Sequence, residues 1–324
     1  MIDRFRAKIR KKNMNKTLLL ILILAGLMTG CENLPDFQDQ STTESNMDFN
    51  KIAVSYPQVY NDSTVIDNYH GQNVADPFRW LEDDNSAETK EWVKAQNQVT
   101  YGYLEEIPFR KSLQQRLAKI WNYQRVSAPF KEGGKFYFFK NDGLQNQGVL
   151  YEKADLNAAE KLVLDPNKFS EDGTASLGNY SFSKDGTKLA YQVSEGGSDW
   201  HTAYVLDLKT GKKLADKVEW IKFSGISWYQ DGFFYSRYPT PKEGEELSAK
   251  NSFHQVFYHK LGTLQSEDQL VFADRSQPDR GFFANTTKDE SFLTIALWES
   301  TSGNALYFKD LKNSIAKKLK LKTL

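Results

Sequence analysis

A single cysteine, Cys31, in 324 residues excludes any disulfide within the chain, so whatever folds here must be held by a packed core. Charge of one sign is missing too. The sequence carries 42 basic and 42 acidic residues, which leaves no electrostatic case for nucleic acid as a partner. Histidine is scarce, with only His70, His201, His254 and His259 available for acid–base or metal chemistry. There is no phosphate-binding loop and no cofactor fingerprint, so no cofactor is expected. The strained turn Gly-x-Ser-x-Gly, which exposes a nucleophilic serine in many hydrolases, occurs nowhere. No stretch is long and apolar enough to cross a membrane as a helix, which takes about 20 residues.

What is present begins with a targeting segment. Residues 1–30 read as a bacterial secretory signal: seven basic groups against the single acid Asp3, a short apolar run from Thr17 to Met28, then small residues. Met28-Thr29-Gly30-Cys31 is similar to a lipobox, which makes Cys31 the expected site of lipidation and the membrane a partner through that lipid. The expected location is the bacterial cell envelope, in the periplasm or at the outer membrane. Without residues 1–30, 35 basic and 41 acidic residues remain, a formal net charge of −6. Residues 31–54 are polar and aperiodic, as in a flexible tether.

Two helices are expected within residues 55–126. Asn85-Ser86-Ala87-Glu88 offers a capping oxygen with a carboxylate three residues on. Trp92, Ala95, Val99 and Tyr103 then form one apolar stripe. A second stripe, Phe109, Leu113, Leu117, Ile120 and Trp121, is opened by Pro108. Both stripes are expected to pack in a core.

From residue 127 to 324 the pattern is β throughout. Short aromatic and β-branched runs, such as Lys135–Lys140, Lys188–Val193, Gly232–Arg237 and Phe292–Trp298, alternate with Asp142-Gly143, Asp172-Gly173, Asp185-Gly186 and Asp231-Gly232. Phe182-Ser-Lys-Asp185-Gly186 before Leu189-Ala-Tyr191 parallels Ile226-Ser-Trp228-Tyr-Gln-Asp231-Gly232 before Phe233-Phe-Tyr235. It also parallels Ala284-Asn-Thr-Thr-Lys-Asp289-Glu290 before Phe292-Leu-Thr294. Spacings of about 45–60 residues suit one four-stranded blade of a propeller better than a β-sandwich. The Asp-Gly pairs are expected at hairpin turns.

Several segments carry a resemblance to a known family, among them Asp76-Pro77-Phe78-Arg79-Trp80-Leu81-Glu82-Asp83, Gly197-Ser198-Asp199-Trp200, and His259-Lys260-Leu261-Gly262-Thr263 leading to Gln265-Ser266-Glu267-Asp268. With Val65–Gly71, Trp92–Asn97, Asn141–Gln147 and Lys222-Phe223-Ser224, the chain from residue 56 on resembles the prolyl oligopeptidase family. The resemblance implies a mainly β chain: about four of seven propeller blades, preceded by a helical segment that would pack on an α/β-hydrolase domain. It also implies a serine peptidase that cuts short peptides after proline, with the propeller restricting access. The family's triad lies after the propeller, so no triad position has a counterpart in this sequence, and the chain is expected to be inactive by itself. Lys317–Lys322 reads as a strand cut in mid-element. A non-catalytic, lipid-anchored binding module is the competing reading, and substrate-binding residues stay unassigned.

Among the residues themselves, Ser198, Asp199 and His201 are the one cluster with all three types a triad needs. A strand there would point Asp199 and His201 to one face and Ser198 to the other. The bland expectation is a turn-stabilising Asp199 beside a structural Trp200. His254 and His259, five apart, would lie on opposite faces of a strand and share no metal. His70 reads as structural, Glu82-Asp83-Asp84 as a helix cap, and Glu243–Glu246 as a solvated loop.

Overall fold

The computed structural model describes residues 52–299 and 304–312. The signal peptide, Cys31, the tether up to residue 51 and Lys317–Lys322 lie outside the described residues. No helix among the described residues is long and apolar enough to cross a membrane.

A hairpin of β1 (Ile66–Tyr69) and β2 (Gln72–Ala75) comes first. His70 and Gly71 are its two turn residues, both with positive φ (52° and 90°), which is the turn that matches the twist of paired strands. Arg79 ties this hairpin to the segment after it through ion pairs to Asp67 and Asp76. Helix α1 (Ala87–Glu105) starts one residue later than the sequence pattern suggests. Its cap is Ser86, whose hydroxyl accepts from the Thr89 amide at 3.1 Å, and Asp83 accepts from the amides of Asn85 and Ser86. Helix α2 (Arg110–Trp121) is capped at Phe109, so Pro108 stands just before it rather than in its first turn.

The expectation of core packing fails for much of this segment. Trp92, Ala95 and Val99 are half-buried, but Tyr103 is exposed. Helix α2 buries no residue, and Leu113, Leu117, Ile120 and Trp121 are all exposed.

From residue 125 onward the described chain is a series of antiparallel meanders. The first contains β3 (Arg125–Val126), β4 (Phe130–Glu132), β5 (Lys135–Asn141), β6 (Val149–Lys153) and β7 (Lys161–Leu164). Strands β3 and β4 both pair with β5 and are one strand interrupted at Pro129, which has no amide to give a ladder. The second meander is β8 (Ser176–Phe182), β9 (Lys188–Ser194), β10 (His201–Asp207) and β11 (Lys212–Ile221). The third is β12 (Ser227–Tyr229), β13 (Gly232–Arg237), β14 (Gln255–Lys260) and β15 (Gln269–Ala273). A single pairing, Ile221 with Arg237, joins these two. Strands β16 (Gly281–Thr286), β17 (Phe292–Trp298) and β18 (Asn304–Asp310) begin a fourth. These are the blades of a partial propeller. Of the Asp-Gly pairs, Asp142-Gly143, Asp185-Gly186 and Asp231-Gly232 sit at hairpins, whereas Asp172-Gly173 lies on the passage from β7 to β8.

The blades stack through three separate cores, and alternation along the central strands feeds two cores at once. On β9, Leu189 and Tyr191 face the first blade beside Tyr137 and Leu150, while Ala190 faces the third beside Val205 and Trp228. On β13, Phe233 and Tyr235 join that second core, while Phe234 turns to Phe282, Leu293 and Ile295 of the fourth blade. Burial on both faces is why these strands read as unbroken apolar runs rather than as apolar–polar alternation.

Candidate functional site

The most chemically mixed cavity opens where β10 and β11 separate. Register between them shifts by one residue: His201 pairs with Ile221, but Ala203 pairs with Val218. The extra residue makes a bulge, and within it Trp220 takes φ +60°, a left-handed conformation that is costly for a bulky side chain. The bulge brings Trp220 against Trp200, edge to face at 5.5 Å. Tyr238 meets Trp200 in the same manner at 6.5 Å, and Phe223, itself at φ +51°, packs on Tyr238 at 6.4 Å. The Trp200 indole N–H donates to the Glu246 carbonyl at 2.8 Å, so the Glu243–Glu246 loop is anchored as well as solvated.

A cavity of about 340 Å³ lies beside this cluster, lined by Glu195, Trp200, His201, Lys217, Glu219 and Trp220 among others. Lys217 pairs with Glu219 at 2.5 Å, and the Lys222 ammonium stands 4.7 Å from the Trp200 ring centre. Aromatic faces with ionic groups at their edges can hold a peptide by stacking and by hydrogen bonds to its amides. The serine, aspartate and histidine near this cavity are not arranged as a triad. Residues 197–200 form a turn and β10 begins only at His201, so the expected strand faces do not apply. The Ser198 hydroxyl accepts from the Trp200 amide at 3.1 Å. His201 Nδ1 lies 2.9 Å from the backbone carbonyl of Asp199, not from its carboxylate. The turn is therefore held by Ser198 rather than by Asp199, and the three side chains do not form a relay.

A larger cleft of about 660 Å³ lies against α1 and is walled by Tyr60, Trp80 and Trp92, with Asp83, Glu88 and Glu91 also lining it. The hydroxyl of Ser86, which also lines it, is already spent on the helix cap.

The two buried histidines have separate partners. His254 precedes β14, and its Nδ1 accepts the Phe282 amide at 2.9 Å while Nε2 faces the Lys222 carbonyl at 3.1 Å. A ring nitrogen that accepts an amide N–H cannot carry a proton, so this imidazole is neutral. Burial pushes its pKa down to about 4, against the hydrogen bond to Lys222. His259, on β14, stands between Asp268, 2.7 Å from Nδ1, and Asp216, 3.2 Å from Nε2. Among the described residues no group of three or more His, Cys, Asp or Glu side chains has the arrangement of a metal site.

Trp200 and Phe223 stand within motifs visible in the sequence, but Trp220 and Tyr238 escape sequence reasoning, and Glu246 reads there only as part of a solvated loop. The role of Trp220 depends on a positive φ and that of Glu246 on a contact between residues 46 positions apart, for neither of which the sequence carries a local signal.

Comparison with known proteins gives the geometry a family. Residues 57–323 match the model described as "Prolyl oligopeptidase, N-terminal beta-propeller domain". The chain is 49% identical over 265 residues to a prolyl endopeptidase of Elizabethkingia meningoseptica, covering 82% of this chain and 37% of that protein. It is 36% identical to prolyl oligopeptidase A of Amanita bisporigera, covering 80% of this chain and 38% of the relative. Among solved structures, prolyl oligopeptidase B of Galerina marginata, bound to a 35mer hydrolysis and macrocyclization substrate, superimposes with a TM-score of 0.72 at 30% identity. That match covers 85% of this chain and 41% of the other. The chain thus spans well under half the length of the relatives it matches.

Proposed function

Because the chain belongs to the prolyl oligopeptidase family, we propose that it is the front portion of a lipid-anchored serine peptidase that cuts short peptides after proline. The observation that carries this reading is the match of residues 57–323 to the family's propeller, at up to 49% identity to prolyl endopeptidases. The propeller restricts access to a hydrolase domain that supplies serine, histidine, aspartate and oxyanion donors. The exposed apolar face of α2, with Leu113, Leu117 and Trp121, supports a surface that this hydrolase domain covers. The lipobox-like Met28-Thr29-Gly30-Cys31 supports attachment to the bacterial envelope through lipid on Cys31.

The test is the coding sequence beyond codon 324, followed by assay of the protein it specifies. A frame running into Gly-x-Ser-x-Gly should yield an enzyme that cleaves short proline-containing fluorogenic peptides and spares folded proteins. That enzyme should partition into detergent, and Cys31→Ser should release it. A stop without such a frame would leave the lipid-anchored binding module as the better reading.

A further inference from the structure

Besides their cores, the second and third blades share a polar joint. The turn Leu261–Asp268, which leads from β14 to β15, is laid against β11 of the neighbouring blade. Gln265 acts there as a substitute strand: its Oε1 accepts the Glu219 amide and its Nε2 donates to the Glu219 carbonyl, both at 2.9 Å. The Gly262 amide donates to Asp216 Oδ1 at 2.6 Å. At the centre stands His259, with no exposed surface, and the side chains of Asp216 and Asp268 are almost wholly buried with it. Both ring nitrogens of His259 face carboxylate oxygens, which only accept, so both must donate and the ring is an imidazolium.

We propose that Asp216, His259 and Asp268 form a proton-dependent clasp, which holds the Leu261–Asp268 turn on β11 while His259 is protonated and loosens it when that proton leaves.

The groups around the clasp are few. Tyr235 on β13 donates to Asp268 at 2.7 Å, and Gln265 reaches the Tyr235 hydroxyl at 3.4 Å. Arg237, also on β13, lies over Phe257 and acts on Tyr235 by its charge. On β11, Lys217 and Glu219 satisfy one another at the surface, and Lys260 of β14 pairs with Asp231. The ring's hydrogen bonds go to the two aspartates, so the imidazolium is the charge that offsets them. Removing one partner of a buried ionic cluster is far more damaging than never having had it, because a desolvated charge is left behind. Here the removal needs only the loss of one proton.

Burial alone would lower the pKa of His259, but the hydrogen bonds and charges of Asp268 and Asp216 outweigh it and hold the value above the ordinary one. A raised folded value contributes stability that is fully present below the unfolded pKa of about 6.5, and this is lost as pH rises through the folded pKa. The clasp therefore loosens on the alkaline side.

The experiment is NMR on the full chain with ring-labelled histidine, combined with amide hydrogen exchange across the same pH range. His259 should keep imidazolium shifts above the ordinary histidine pKa of about 6.5, while His254 should stay neutral there. As His259 titrates, exchange at Glu219 and Gly262 should accelerate relative to the β9 amides in the same sample. The total acceleration should be about tenfold for each unit by which the folded pKa exceeds the unfolded one. His259→Gln should remove that pH-dependent acceleration. A His259 that titrates at or below the ordinary histidine value of about 6.5 would overturn the proposal. So would exchange at Glu219 and Gly262 that tracks β9 at every pH, and neither result needs a variant that folds.

Discussion

Gly133 and Gly186 meet with no side chain between them: a Cβ built on Gly133 would lie 2.6 Å from the Gly186 Cα, and one on Gly186 would lie 2.3 Å from the Gly133 Cα. Each occupies the first hairpin turn of its blade, between β4 and β5 and between β8 and β9, so two equivalent turns of successive blades touch by backbone alone. Both have positive φ, 52° and 66°.

Gly186→Ala should accordingly be far more damaging than a surface substitution. It adds a left-handed non-glycine residue and a contact that only a backbone shift can relieve, and together these should cost roughly 2–4 kcal/mol. Gly211, also at positive φ but with nothing near its missing Cβ, isolates the conformational part of the effect. Urea titration of the two alanine variants checks the difference. Equal midpoints would mean that the close approach does not matter.

The acid limb of stability should run through Glu152. Its carboxylate is buried and pairs with Lys135 at 2.9 Å and Lys161 at 3.3 Å, with the Tyr137 hydroxyl at 3.4 Å. Burial by itself raises its pKa, but the two ammonium groups more than offset this and hold it below the usual carboxylate value. A lowered folded value means stability that is present above the unfolded pKa of about 4.3 and lost as pH falls through the folded one. Glu152→Gln should therefore lower stability by about 1–3 kcal/mol near neutrality. It should also flatten the fall in urea midpoint below about pH 4.3. An unchanged acid limb would assign that pH dependence to other carboxylates.

Much of the blade architecture was legible because it is local and repeated. Asp185-Gly186, Asp231-Gly232 and Asp289-Glu290 mark the same hairpin in successive blades, and the apolar runs after them became β9, β13 and β17. Strand β8 escaped notice because Gly178 and Asn179 interrupt it, and β11 because Lys212, Lys213, Asp216, Lys217 and Glu219 make it look like a solvated loop. Its charges have long-range uses instead, since Asp216 serves His259 from 43 residues away. The two buried histidines illustrate the same limit. The sequence separated them onto opposite faces of one strand, yet what makes one neutral is the Phe282 amide, and what makes the other charged is the pair of carboxylates at Asp268 and Asp216, all brought in from outside that strand.

Residues 32–324 should show no turnover of proline-containing fluorogenic peptides. The argument rests on where the reactive groups already are. Covalent catalysis needs a serine whose hydroxyl reaches a free imidazole, a carboxylate to orient that ring, and donors for the oxyanion. Ser198 is engaged by the Trp200 amide, and His201 by the Asp199 carbonyl. His254 is consumed by two backbone groups and His259 by two buried carboxylates. His70 sits exposed in a hairpin turn. Loss of a single oxyanion donor slows an intact enzyme by about 10²–10³, and among the described residues His201, His254 and His259 are bonded to groups other than a serine hydroxyl. The measurement is hydrolysis at high protein concentration, with and without a serine-directed phosphonate. Turnover that the phosphonate abolishes, and that Ser198→Ala or His201→Ala also abolishes, would show that the Gly197–His201 turn can rearrange into a working site.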